Sequence, residues 1–491
     1  MVKQRPRVNL NYLLLFLIAS IMPKTIFFGR FISTPTPDDL LIQTGAVLVS
    51  STDGHGTIEK VDWTVNGASD ASSKFGEEVP VVTTGENDFF FPGFIDSHIH
   101  ASQYPNAGIF GKSTLLDWLT TYTFPLESSL GNEKSPMYNN STSPVDPLAR
   151  ATAVYNRVIS NTLSHGTTTA AYYATISVPA TNILADIAFK KGQRAYIGRV
   201  CMDNADMCPD YYRDESTEET IRNVHASIEH CKDLDPTGDL VAPIITPRFA
   251  PSCQESTLTA LGQLAKDQDL RVQTHISENL NEVKLVSEIF PKQKSYAEVY
   301  DVHGLLGERT VLAHAVHLST EEMKLVKARK SKVSHCPASN SALGSGLCPV
   351  RTMLDEGIEV GLGTDVSGGY SLSVLEAVRQ ACLVSRHVGF FNGGDSRYNI
   401  GIAEGLYLGT IGSAKVVGLD GKTGGFEVGM SWDVQEIQLG SISGEGEGED
   451  NCVDIFGWEG WEERVAKWVW NGDDRNVRRV WVGGRLVHER K

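Results

Sequence analysis

Two histidines one residue apart, His98-Ile99-His100, close the apolar run that opens at Phe94-Ile95. In an extended strand, residues i and i+2 face the same side, so both imidazoles would point one way. Paired neutral imidazoles suit a divalent metal. The pair alone is a weak signal, but other residues extend the pattern. His275 ends Val272-Gln273-Thr274, His314 ends Val311-Leu312-Ala313, and Asp365 ends Gly361-Leu362-Gly363-Thr364. An Asp in such a run, with no Lys or Arg close in sequence, is costly to bury unless it is paired or metal-bound. Glu278 follows His275 by three residues, where the next helix would begin. It is a candidate general acid or base beside a metal, or a carboxylate stabilised by the helix dipole.

The elements that would position these residues alternate in type. Short apolar runs recur at Phe94–His100, Thr167–Tyr173, Arg194–Met202, Val241–Ala250, Arg271–His275, Thr310–His314, Lys332–His335 and Ile358–Asp365. Helix-like segments lie between them. Asp146 reads as the N-cap of a helix running to Ser164, with Gly166 as its stop. Ser319 and Glu322 form a capping box for a helix over Glu321–Lys330. Strands alternating with helices predict a parallel sheet, and eight such units predict an α/β fold of the (β/α)8 TIM-like barrel type. No G-x-G-x-x-G and no phosphate-binding loop follows a strand. In a barrel, chemistry sits at the C-terminal strand ends, and that is where the His and Asp residues fall.

The flanks read differently. Lys24–Ser33, Gly45–Ser51 and Lys60–Val65 look like strands, as do Val434–Leu439 and Arg478–Val487, with a hairpin turn at Gly483-Gly484. We expect both chain ends to form one small β-sandwich domain. The division is then 1–23 as an N-terminal extension, 24–90 and 411–491 as the two parts of the β domain, and 91–410 as the barrel. Ser441–Asp450 is a Gly-rich acidic loop.

The net charge of −16, from 44 Lys plus Arg against 60 Asp plus Glu, argues against a binder of nucleic-acid backbones. No apolar run reaches the ~20 residues that span a bilayer. Eight Cys in 491 residues are too sparse for a disulfide scaffold. Lys3, Arg5 and Arg7 followed by apolar Tyr12–Met22 resemble a secretory signal. The cleavage site is poor, and Met22 stands just before the first strand. We read residues 1–21 as dispensable and expect a cytoplasmic protein; secretion is the alternative. The sequons in Asn139-Asn140-Ser141-Thr142 carry little weight.

The order H-x-H, H-x-x-E, H and D on successive strands, flanked by a β domain, resembles the amidohydrolase superfamily. His100-Ala101-Ser102-Gln103-Tyr104, Leu115–Pro125, Thr246-Pro247-Arg248-Phe249, His275-Ile276-Ser277-Glu278-Asn279 and Ser334-His335-Cys336-Pro337 narrow it. They are similar to motifs of its guanine-deaminating branch, over nearly the whole chain from Lys24. The resemblance implies one Zn2+ held by His98, His100, His275 and Asp365, although Fe2+ would accept the same ligands. It implies that the metal acidifies a water. Asp365 and His314 would orient that water and take its proton, and Glu278 would pass it to a ring nitrogen. The implied products are xanthine and ammonia. Arg248 would donate to the guanine O6, Phe249 would offer a ring face, and Gln103 would read a ring edge through its donor and its acceptor. His335 and Cys336 are expected to line the pocket or support the ligands. The resemblance also implies a homodimer and no nucleic-acid or membrane partner. The fourth run carries no Lys to bridge two metals, which favours one ion.

Overall fold

The computed structural model of the chain describes residues 24–52, 55–139, 145–442 and 451–490. The extension 1–23, most of the sequon stretch and most of the acidic loop lie outside the described residues.

The N-terminal segment supplies β1 (Lys24–Ser33), β2 (Leu41–Thr52), β3 (His55–Asp62), β4 (Val81–Thr83) and β5 (Phe89–Pro92). The barrel follows with β6 (Phe94–His100), β7 (Thr167–Tyr173), β8 (Arg194–Gly198), β9 (Val200–Cys201) and β10 (Val241–Pro247). It continues with β11 (Arg271–Ile276), β12 (Thr310–His314), β13 (Lys332–His335) and β14 (Val360–Leu362). The C-terminal segment adds β15 (Val434–Ile437), β16 (Val477–Val482) and β17 (Arg485–Glu489).

Strands β1–β5 and β15–β17 form one eight-stranded sheet in the order β17-β16-β15-β5-β1-β2-β3, with β4 beside β1. Gly56 N donates to Gly483 O, and Trp432 N to Gly56 O, so the sheet curls back on itself. Phe27, Phe31, Phe90, Trp432 and Trp481 fill the enclosed space. Phe31 meets Phe426 and Trp63 edge-on, the arrangement aromatic quadrupoles favour.

The barrel sheet is parallel throughout, in the order β14-β13-β12-β11-β10-β8-β7-β6. It closes through the segment after β14. Asp365 N donates to His98 O at 2.9 Å, and His100 N to Val366 O at 3.1 Å. Asp96 adds a side-chain clamp, accepting from Thr364 N at 3.0 Å and Thr364 Oγ1 at 2.6 Å. Eight parallel units with helices outside form the expected (β/α)8 barrel. Asp146 caps the helix Pro147–Ser164 by accepting from Ala149 N, and Ser319 with Glu322 makes the capping box of Thr320–Ala328.

Three runs are shorter or more broken than the sequence suggests. The third splits at Arg199, whose guanidinium turns aside into a buried pair with Asp214. The fourth ends at Pro247, so Arg248 and Phe249 stand on the loop just beyond it. The eighth spans Val360–Leu362, because Asp365 takes a left-handed φ of 48° that no strand accommodates. Among the described residues, no helix is long and apolar enough to cross a membrane.

Candidate active site

The C-terminal ends of β6, β11, β12 and β14 converge on one buried cluster. His98 and His100 face the barrel interior together, as their spacing predicts. His98 Nε2 lies 3.1 Å from Asp365 Oδ1. His100 Nε2 lies 3.1 Å from His275 Nε2 and 3.4 Å from Asp365 Oδ1. One ligand-type atom from each of His98, His100, His275 and Asp365 falls within 4.8 Å of the other three. Two imidazole nitrogens facing each other beside a carboxylate oxygen form a donor set that fits a divalent cation. His275 Nδ1 is hydrogen-bonded to the backbone carbonyl of Arg248. That contact places the proton on Nδ1 and leaves Nε2 as a free lone pair.

The electrostatics agree with neutral imidazoles around an anion. Burial and neighbouring imidazoles depress His100 and His275 well below the ordinary histidine range. Burial alone would raise Asp365, but the hydrogen bond from His98 and the charges of His314 and His98 outweigh it and lower it.

His314 stands at a left-handed φ of 74°. This uncommon conformation turns the chain sharply at the strand end. Its Nδ1 lies 2.8 Å from Asn340 Oδ1, which orients the ring. Its Nε2 has no hydrogen-bond partner among the described residues and points between Glu278 Oε2 at 3.5 Å and Asp365 Oδ2 at 3.7 Å. Burial works against protonation of His314, but Glu278 and Asp365 together raise its pKa. Glu278 is 2% exposed, and burial pushes it up to about 7. Ser345 Oγ donates to its Oε1 at 2.9 Å. Glu278 precedes the N-cap Asn279, and it is Glu282 in the first turn that reaches back to cap the helix Leu280–Ile289.

The pocket above the cluster is lined by His100, His275, Glu278, His314 and Asp365 below, with Gln103, Leu115, Trp118, Arg248, Phe249 and Leu343 around the sides. Arg248 pairs with the buried carboxylate of Glu127 at 2.6 Å. Gln103 donates to Glu127 Oε1 at 2.7 Å and accepts from Ser367 N at 3.2 Å. Eight of the nine residues expected to bind metal, react or bind substrate line this pocket, and His98 lies in the cluster with three of them. His335 does not line it; among the described residues neither of its buried ring nitrogens has a hydrogen-bond partner, and it lines a separate small cavity with Cys348 and Ala381. Cys336 Sγ lies within 4.8 Å of ring nitrogens of His98 and His314. Asp96, Glu127, Asn340 and Ser345 were not singled out by sequence. Asp96 alone left a trace there, as a carboxylate inside an apolar run. A larger crevice at the opposite barrel end is lined by Arg271, Lys332, Glu359 and Lys415, without such a cluster.

A parallel barrel with three imidazoles and a carboxylate converging at its C-terminal mouth is the architecture of barrel hydrolases. The chain belongs to the amidohydrolase family, whose model matches residues 89–487. It is 44% identical over 463 residues to a probable guanine deaminase of Schizosaccharomyces pombe, covering 94% of this chain and 83% of that one. It is 40% identical over 405 residues to the guanine deaminase of Homo sapiens, covering 82% and 83%. A crystal structure of guanine deaminase from C. acetobutylicum with bound guanine superposes with a TM-score of 0.82 at 32% identity, covering 95% of this chain and all of that one. Deaminases of this family are generally metal-dependent.

Proposed function

We propose that this protein deaminates guanine hydrolytically to xanthine and ammonia, with one zinc ion held by His98, His100, His275 and Asp365. The observation that carries this reading is the joint placement of that donor set, Glu278 and the Arg248 guanidinium on one pocket. The similarity to guanine deaminases of several organisms supports it.

When bound, the metal supplies Lewis acidity that makes a water acidic near neutral pH. The residues do the rest. Asp365 Oδ2 and His314 Nε2, 3.7 Å apart, orient the attacking water and take its proton. Asn340 keeps His314 aimed at that point. Glu278, with a pKa near 7, moves a proton to the purine ring nitrogen beside C2. That makes C2 electrophilic. The water oxygen bonds to C2, the tetrahedral carbon then collapses as the C–N bond breaks, and the amine leaves as ammonia after accepting the proton the water gave up. Arg248 donates to O6, and adenine would meet it with an amino donor instead. Phe249 stacks on the ring, and Gln103 binds a ring edge.

Ammonia release from guanine, adenine, cytosine and a triazine tests this directly. Guanine should be turned over fastest, and faster turnover of any other substrate overturns the reading. The fuller proposal is a cytoplasmic homodimer with no nucleic-acid or membrane partner. Eight free thiols, seven of them buried, support a reducing compartment. Sedimentation of the purified protein tests the dimer.

A further inference from the structure

We propose that Glu127 is a positioning residue that sets the preference of the pocket for a purine carrying an O6 carbonyl; this rests on the guanine reading above. Glu127 lies on the short helix Phe124–Ser128 and is 0% exposed. It acts through Arg248 and Gln103, which do line the pocket. Its carboxylate accepts four hydrogen bonds. Oε2 receives Arg248 Nη1 at 2.6 Å and the Tyr212 hydroxyl at 2.6 Å. Oε1 receives Arg248 Nη2 at 3.2 Å and Gln103 Nε2 at 2.7 Å.

This arrangement fixes which donors remain for a ligand. Glu127 occupies the end-on fork of the guanidinium, made by Nη1 and Nη2. The other fork, Nε–H with the second hydrogen of Nη2, stays open. Among the described residues, Arg248 Nε donates to none. A carbonyl oxygen accepts from such a fork with both lone pairs. Glu127 also fixes the flip of the Gln103 amide. A carboxylate faces its nitrogen, and the Ser367 backbone N–H faces its oxygen at 3.2 Å. The charge matters as well. With Glu127 ionised, Arg248 presents hydrogen bonds without a net positive charge, which suits a neutral base.

The test compares guanine with 2-aminopurine, which keeps the 2-amino group but lacks the O6 oxygen. Glu127→Gln keeps the shape but turns an amide donor toward the donors of Arg248 or Tyr212. The metal content should stay at one per chain. The ratio of kcat/KM for guanine over 2-aminopurine should fall roughly 10–100-fold, mostly through a higher KM for guanine, the scale of a lost charge-assisted hydrogen bond. Where 2-aminopurine turns over too slowly, its Ki against guanine replaces its kcat/KM. Tyr212→Phe removes one donor and keeps the charge, and should move the same ratio in the same direction by about threefold. If Glu127→Gln fails to fold, Tyr212→Phe decides. Equal losses on both purines, or an unchanged ratio, overturn the inference. A wild-type protein inactive on guanine overturns the functional reading instead.

Discussion

Glu278→Gln separates proton transfer from metal binding at a single atom pair. The Gln oxygen can still accept from Ser345 Oγ, which now sits 2.9 Å from Glu278 Oε1. Its amide nitrogen then replaces Oε2, 3.5 Å from His314 Nε2. Asn340 holds the proton on His314 Nδ1, so Nε2 can accept from that amide. Shape and hydrogen bonding therefore survive, while the transferable proton is lost. Among the described residues Glu278 makes its side-chain hydrogen bond with Ser345 and its ion pair with His314, not with the four proposed ligands, so metal content should stay at one per chain. A positioned proton shuttle contributes on the order of 10²–10⁴-fold, about 3–5 kcal/mol of barrier. We expect guanine turnover to fall by that factor. Stability supplies an independent readout. Burial raises the folded carboxyl to about 7 from an ordinary value of 4.5. The folded state then keeps a proton that the unfolded chain has lost, so this site destabilises the protein increasingly as pH rises from about 4.5 to 7. The full effect is about 3 kcal/mol. Metal-free Glu278→Gln should therefore melt higher than metal-free wild type at pH 8 and near it at pH 4.5. Steady-state ammonia release, elemental analysis and melting at both pH values read all three consequences. A fully active variant removes Glu278 from the mechanism, and loss of metal makes it a ligand.

Three further outcomes follow from the geometry. His98→Ala, His275→Ala and Asp365→Ala should each reduce bound metal well below one per chain and nearly abolish turnover; two ions per chain, or an active His98→Ala protein, refutes the four-ligand set. Arg248→Met should leave the buried Glu127 without its counter-charge, held by Tyr212 and Gln103 alone, costing about 3–5 kcal/mol of stability and raising KM for guanine, as chemical denaturation and kinetics would show; an unchanged denaturation midpoint refutes it. Burial raises Asp96 to about 7 from 3.8, so folding stability at this site is lost as pH rises from about 4 to 7. Metal-free Asp96→Asn should gain on wild type between pH 5 and pH 8 in urea midpoints, and the reverse trend refutes the burial argument.

The strand-end residues were legible because the barrel imposes a rule on sequence. A buried strand is apolar, and a His or Asp at its end is conspicuous. That rule found His98, His100, His275, His314 and Asp365, and capping chemistry found the helix starts at Asp146 and Ser319. It could not find Glu127, because none of its partners is local: Arg248 lies 121 residues away and Tyr212 lies 85. Asp96 was visible as a carboxylate in an apolar run, yet its partner Thr364 is 268 residues distant. Asn340 and Ser345 look like ordinary polar residues on a helix and a loop. Strand ends were misjudged where an apolar sequence continues past the ladder, as at Arg248–Ala250, or where a left-handed residue stops it, as at Asp365.

One joint between the two proposed halves of the pocket is made by a backbone carbonyl. The donor set comes from β6, β11 and the segment after β14. The groups facing a purine come from the loop after β10 and from the helical turn that carries Gln103, with Glu127 behind them. That joint is the Arg248 carbonyl, which accepts from His275 Nδ1 and fixes the lone pair that faces the other proposed ligands. A carbonyl is present whatever side chain the position carries. Replacing the Arg248 guanidinium therefore alters what the pocket binds while keeping the contact that orients His275. A barrel built this way can exchange its recognition residues and retain its reactive centre, which is how one architecture would serve different substrates with the same chemistry.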